Sequence, residues 1–215
     1  MTSAPAGIVM LDTAFPRPPG DIGHPDSFSV PVLYRAVESA SAHQAVRGDP
    51  EVLLAPFILA ARELVADGAA VIGTSCGFLS LFQEQMAAEL DVPVVTSALN
   101  LVPERGGNVG ILTIDAEALS ARHLSAAGIE GAIPIEGLPK DGELATVIFE
   151  DRLTLDMAKA EAEMITAAKR LADRTPSLEA LVFECTNMGP YRAAVAEAVG
   201  LPVFTVIDAI EGTLS

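Results

Sequence analysis

The sequence predicts an α/β fold of two pseudo-symmetric parallel-sheet lobes, with helices on both faces of each sheet and a cleft between the lobes. Three observations predict it. Short apolar runs alternate with helical stripes along all 215 residues, the pattern of parallel strands joined by crossover helices. Half of the residues are apolar, yet aromatics make up only 5% and Trp is absent. Small aliphatic side chains must therefore fill the core, as they do where helices lie on buried strands. Finally, the order of motifs runs through twice: AGIVMLDT answers NVGILTID, GAAVIGTSCG answers EALVFECTNMG, and DVPVVTSA answers GLPVFTVIDA. The expected lobes are residues 1–100 and 101–205, with 206–215 packing back on the first.

Each element follows from local pattern. Residues 7–13 read as the first strand. The next stretch, 15–28, carries four prolines and two glycines, which excludes regular structure and marks a long loop of the kind that is functional or disordered. Pro31 is placed to open a helix with Val32, Leu33, Ala36, Val37 and Ala40 on its apolar face. Leu54, Phe57, Ile58, Ala61, Leu64 and Val65 keep helical spacing up to Gly68. Pro56 there implies a start near residue 55 or a kink. Residues 69–74 read as a buried strand, Leu79, Phe82, Met86 and Leu90 as a helical stripe, 92–96 as a strand and 103–108 as a polar connection. The second half restarts with a strand over 109–113, a helix over 119–127 closed by Gly128, and a short strand over 132–135. Leu153, Met157, Ala160, Met164, Ala168 and Leu171 form the clearest amphipathic stripe. A strand over 181–184, a helix from Pro190 to Val199 and a strand over 202–207 complete the order.

Charge and targeting narrow the function. The chain has 13 Lys and Arg against 29 Asp and Glu, a formal net charge of −16. Such a surface argues against nucleic acid, which attracts basic proteins, and against anionic membranes. The N-terminal stretch lacks a basic segment followed by a long apolar one, and no run approaches the ~18 apolar residues of a membrane span. A cytoplasmic protein is expected, with its two cysteines as free thiols.

Those cysteines carry the candidate chemistry. Cys76, in IGTSCGF, and Cys185, in VFECTNMG, each follow a buried strand and precede a helix. Parallel sheets put functional groups at the carboxyl ends of their strands, and a helix N-terminus lowers a thiol's pKa and seats a carboxylate. The matched contexts place the two thiols on opposite sides of the cleft. Asp12, Thr13, Thr74, Ser75, Gly77, Thr113, Thr186 and Asn187 surround these strand ends as candidate substrate-binding residues, Thr and Asn side chains also being natural helix caps. Arg17 and His24 lie in the long loop. His43 and His123 read as surface residues. Two cysteines 109 positions apart with scattered histidines do not form a metal site.

With both thiols and their flanking motifs in view, the chain resembles the aspartate/glutamate racemase superfamily over nearly its whole length. Cys185-Thr186 matches the second cysteine motif of glutamate racemases, although Asn187 stands where they carry histidine. Cys76-Gly77-Phe78 departs from their first motif. GTSCGF resembles a Gly-Thr-Ser stretch of arylmalonate decarboxylases, and ECTNMG resembles maleate isomerases and hydantoin racemases. Asp12 matches the acid ending the family's first strand. The resemblance implies a cofactor-independent racemase or epimerase in which Cys76 and Cys185 remove and return the α-proton of a small carboxylate, amino acid or hydantoin-like substrate. It leaves two alternatives: maleate-type cis–trans isomerisation by covalent thiolate addition, and a non-catalytic small-molecule binding protein. A homodimer is the default oligomer.

Overall fold

The computed structural model describes residues 4–214. Met1–Ser3 of the N-terminal stretch and Ser215 of the tail lie outside the described residues. The first lobe runs β1 (Ala6–Leu11), β2 (Val32–Val37), α1 (Ala42–Arg47), α2 (Glu51–Ala66), β3 (Val71–Thr74), α3 (Gln83–Ala88), β4 (Val94–Val95) and α4 (Leu101–Arg105). The second runs β5 (Val109–Thr113), α5 (Ala121–Ala126), β6 (Ile135–Gly137), α6 (Glu143–Phe149), α7 (Met157–Arg174), β7 (Ala180–Phe183), α8 (Arg192–Val199), β8 (Val203–Phe204) and α9 (Val206–Thr213). Each lobe holds a four-stranded sheet whose strand pairs are all parallel. The orders are β2-β1-β3-β4 and β6-β5-β7-β8, so the same topology occurs twice.

Every residue of β1, β3, β5 and β7 is buried. That is why these strands read as unbroken apolar runs: helices cover both faces. Two glycines let neighbours approach closely. A Cβ on Gly7 would meet Ala69 Cβ at 2.8 Å, and one on Gly73 would meet Ile210 Cδ1 of α9 at 2.5 Å. The C-terminal helix thus lies on the first lobe's sheet.

Several expected elements differ. The helix expected from Pro31 is the edge strand β2, paired in register with β1 from Ala6↔Val32 to Leu11↔Val37. A spacing that also fits a helix gives way to a complete backbone ladder, and β-branched Val32 and Val37 with Tyr34 suit it. Helix α2 begins at Glu51 and contains Pro56, forgoing one backbone hydrogen bond because Leu53, Phe57 and Leu64 are buried along it. The stripe around Leu153 starts only at Met157, where Asp156 caps α7 by accepting from the Lys159 N–H. Helix α6 is not among the expected elements, and the strand expected over 202–207 stops at Phe204, where the Thr205–Asp208 capping box opens α9 instead. His123 is buried rather than on the surface: its ring caps α5 through Ser120 and meets Phe78 edge-on at 5.2 Å.

Candidate active site

The two cysteines occupy equivalent places. The strand ladders continue one residue beyond β3 and β7, with the Ser75 N–H donating to Val9 O at 3.0 Å and the Glu184 N–H to Leu112 O at 2.9 Å. Each next residue is a cysteine whose carbonyl accepts from the N–H three positions on, Leu79 to Cys76 at 3.1 Å and Met188 to Cys185 at 3.2 Å. Both chains then enter short 3-10 turns, Gly77–Phe82 and Gly189–Tyr191, before α3 and α8.

Cys76 and Cys185 line one slot, with Leu11, Phe15, Ser75, Gly77, Phe78 and Glu184 among the walls. Both are free thiols. The slot is almost closed, with about 20 Å³ of space, room for about one water molecule. The lobes touch closely here. Thr186 Oγ1 donates to Ser75 O at 2.6 Å, and a Cβ on Gly77 would stand 2.1 Å from Glu184 O.

The loop over 15–28 contributes Phe15 to the walls, which Ala42 and Val46 of α1 and Ile148 of α6 complete, and packs against the outside of the site. Its Asp21, 1% exposed, accepts from Asn187 Nδ2 at 2.7 Å, from Arg17 Nη1 at 2.9 Å and from the Gly23 N–H at 2.7 Å. Arg17 also donates to Thr13 Oγ1 at 2.8 Å and lies over the Phe15 ring. The Ile22 N–H donates to Thr186 O, and Gly20 abuts Gly189 and Pro190 too closely for a Cβ on either glycine. Asp151 of the second lobe, at φ 51°, accepts from the Ala14 and Phe15 N–H groups. This stretch is a strap pinned to the second lobe, and only 25–27 form a helical turn.

Of the ten residues singled out in the sequence, Cys76, Cys185, Ser75, Gly77, Thr186 and Asn187 line the slot. The other four do not. Thr74 is wholly buried behind it, donating to Thr96 O and Cys76 O. Thr113 donates to Glu184 Oε2 at 2.7 Å. Asp12 is exposed and accepts from the Ser39 N–H, fixing the turn where Ser39 takes φ 65°. Thr13 holds Arg17. Sequence reasoning misses Glu184 and Asp21. Glu184 offers one usable signal: it is the acidic residue directly before Cys185, where Ser75 precedes Cys76. Asp21 offers none, because its partner Asn187 is 166 positions away.

The thiols differ from the expectation of helix-lowered pKa values. Burial, then the nearby Glu184 carboxyl, pushes Cys76 up to about 12, against the pull of the Phe78 and Leu79 backbone N–H groups and of Arg17. Cys185 is raised by the same two causes, with Cys76 and Asp21 adding to them. The 3-10 turns supply too little helix dipole to outweigh dehydration in a closed slot. Glu184 is itself pushed up to about 8 by burial, opposed by the Thr113 hydrogen bond. Among the described residues no group of three or more His, Cys, Asp or Glu is placed to hold a metal ion, and no helix is long and apolar enough to cross a membrane.

Comparison with solved structures places this fold. Unliganded arylmalonate decarboxylase matches with a TM-score of 0.66 at 15% identity, over 99% of this chain and 93% of that one. Glutamate racemase from Aquifex pyrophilus matches with a TM-score of 0.55 at 14% identity, over 98% and 82%. The fold is that of the aspartate/glutamate racemase superfamily. No family model matches the chain. Among curated proteins, a dimethylsulfoniopropionate lyase of Durusdinium sp. clade D is 30% identical over 227 residues, covering 95% of this chain and 72% of that protein. Dimethylsulfoniopropionate lyase 7 of Emiliania huxleyi (strain CCMP1516) is 31% identical over 225 residues, covering 97% and 66%; this chain thus spans about two thirds of these relatives. On that similarity, and with two thiols at the shared strand ends of the racemase fold, the chain is an enzyme that belongs to the dimethylsulfoniopropionate lyase family.

Proposed function

We propose that this enzyme uses a cysteine thiolate to remove a proton from the carbon next to a carboxylate and expels dimethyl sulfide from the adjacent carbon. The observation that carries the reading is the pair of thiols lining one closed slot, in a chain 30% identical to a dimethylsulfoniopropionate lyase. In that substrate a sulfonium stands β to the carboxylate. The thiolate takes an α-proton, the C–H electron pair becomes the C=C bond, and the C–S pair leaves with sulfur. Acrylate and dimethyl sulfide result, and the proton on the thiol returns to solvent. The step needs no oxidant or reductant.

The electrostatics favour a substrate carrying positive charge. A thiol held near pKa 12 is neutral at pH 7, and no Lys or Arg among the described residues lines the slot. A bound sulfonium supplies the missing charge beside the thiols and favours the thiolate, so ionisation accompanies binding. Phe15 and Phe78 offer apolar and π faces for its methyl groups. Ser75 Oγ accepts from the Leu11 N–H at 2.8 Å, which leaves its hydroxyl proton for the substrate carboxylate. A slot of about 20 Å³ is smaller than any such substrate, so entry requires its walls to part.

Two thiols facing one slot also support a second reading, proton removal by one and return by the other, as in an amino-acid racemase. Both readings share the α-deprotonation and differ in the fate of the carbanion. Headspace gas chromatography on dimethylsulfoniopropionate, run beside α-deuterium incorporation into chiral amino acids in D₂O, separates them. Dimethyl sulfide above the buffer rate is expected, with no deuterium in the amino acids. Deuterium exchange without dimethyl sulfide overturns the lyase reading in favour of racemisation.

A further inference from the structure

Glu184 is the wholly buried group that this chemistry has not yet used. It lines the slot with both thiols. Its Oε2 accepts the Thr113 hydroxyl proton at 2.7 Å, while its buried Oε1 has no hydrogen-bond partner among the described residues. That oxygen lies over the Cα of Gly77, where a Cβ would come within 2.4 Å of it. Because Oε2 is already an acceptor, the acid's own proton belongs on Oε1. A carboxylate with one bare oxygen in this closed space would be an unpaired buried charge, which is costly.

We propose that Glu184 is a further catalytic residue: a neutral carboxylic acid whose Oε1–H donates a hydrogen bond to the carboxylate of the substrate. This rests on the reading of the site as one for a small carboxylate. It answers how an anionic group can bind where no cationic side chain among the described residues lines the walls. An O–H···O⁻ bond is among the stronger hydrogen bonds. It tightens as α-deprotonation moves negative charge onto the carboxylate oxygens, so it favours the transition state over the bound substrate. The proton stays on Glu184 throughout. The titratable groups around it are the two thiols, Asp21 with Arg17 on the strap, and, beyond Thr113 on β5, Asp115 held by Arg47 at 2.8 Å.

The test compares wild type with Glu184→Gln, which keeps a donor and an acceptor, and Glu184→Met, which fills the volume without a donor. Acrylate binding is measured by calorimetry at pH 7, and kcat/KM for dimethyl sulfide release from pH 6 to 9.5. The Gln variant is expected within about fivefold of wild type at pH 7, and the Met variant about 100-fold lower in kcat/KM, with acrylate bound at least about tenfold more weakly. Wild type is expected to lose kcat/KM and acrylate affinity above about pH 8, where the Glu184 carboxyl ionises, and the Gln variant to keep both. Met and Gln variants with equal kcat/KM and equal acrylate affinity would overturn the donor role and leave the lyase reading intact. No dimethyl sulfide from any variant, with acrylate lost only in the Met variant, would sink the lyase reading and leave the donor role standing. Failure of wild type both to bind acrylate and to release dimethyl sulfide overturns both. If the Met variant does not fold, superimposable wild-type and Gln pH profiles reject the donor role.

Discussion

Replacing Gly77 by Ala puts a methyl group where the two lobes meet at the thiols. The added Cβ would stand 2.1 Å from the Glu184 carbonyl oxygen and 3.0 Å from its carbonyl carbon. Carbon and oxygen need roughly 3.2 Å or more without a bond, so the lobes must part by about 1 Å at this point. The obstacle is backbone at the end of buried β7, which cannot rotate away as a side chain would. Overpacking of this kind costs about 1–3 kcal/mol, or a melting temperature lower by about 2–12 °C for a chain of this size. The effect on chemistry should be larger, because displacing reacting groups by about 1 Å costs about 100-fold in rate. Gly212→Ala is the control: Gly212 lies in α9, and a methyl group added there would have nothing within 4 Å, so that change should be neutral or stabilising by up to about 1 kcal/mol. Differential scanning calorimetry and the dimethyl sulfide assay read both variants. If Gly77→Ala melts and turns over like wild type, the lobes are not in close contact at the thiols and the reasoning fails.

Three further outcomes are expected. At least one of Cys76→Ser and Cys185→Ser should lose about a thousandfold or more in dimethyl sulfide release with melting unchanged, since a hydroxyl is a far weaker acid than a thiol; near-wild-type turnover by both would exclude thiol chemistry. Asp21→Ala removes the acceptor for Asn187, Arg17 and Gly23 and should cost about 3 kcal/mol or more, as for other broken buried pairs. Hydrogen exchange should rise mainly along 15–28, and uniform exchange across the chain would show that the strap is not a separate element. Burial, with Arg122 nearby, lowers His123 to about 4 from an ordinary 6.5. The unfolded chain therefore binds the proton more readily, so this contribution is complete above pH 6.5 and lost as pH falls towards 4. Melting temperatures of wild type and His123→Leu should converge across that window, and a constant gap would contradict a neutral buried imidazole.

The repeated motifs make the duplicated sheet legible. A strand buried on both faces must be an apolar run, and polar residues can reappear only where it ends, so β3 with Cys76 and β7 with Cys185 announce themselves. β2 is ambiguous in the sequence because Val32, Leu33, Ala36 and Val37 fit either period, and only pairing with β1 decides between them. The start of helix α9 reads as strand because Val203 to Ile207 is largely apolar, while the turn into the helix depends on Asp208 accepting from Thr205.

The sequence by itself determined the α/β class, the doubled topology and the two thiols at matched strand ends, because local periodicity and motif order are properties of the chain. Tertiary structure alone decided which polar residues share the slot. Thr113 turned to a buried carboxyl, Asp12 to a turn, and Asp21 was brought 166 positions along the chain to Asn187. It also reversed the sign of the thiol shift, since dehydration depends on how tightly two lobes and a strap close over a sulfur atom, and no short stretch of sequence carries that information.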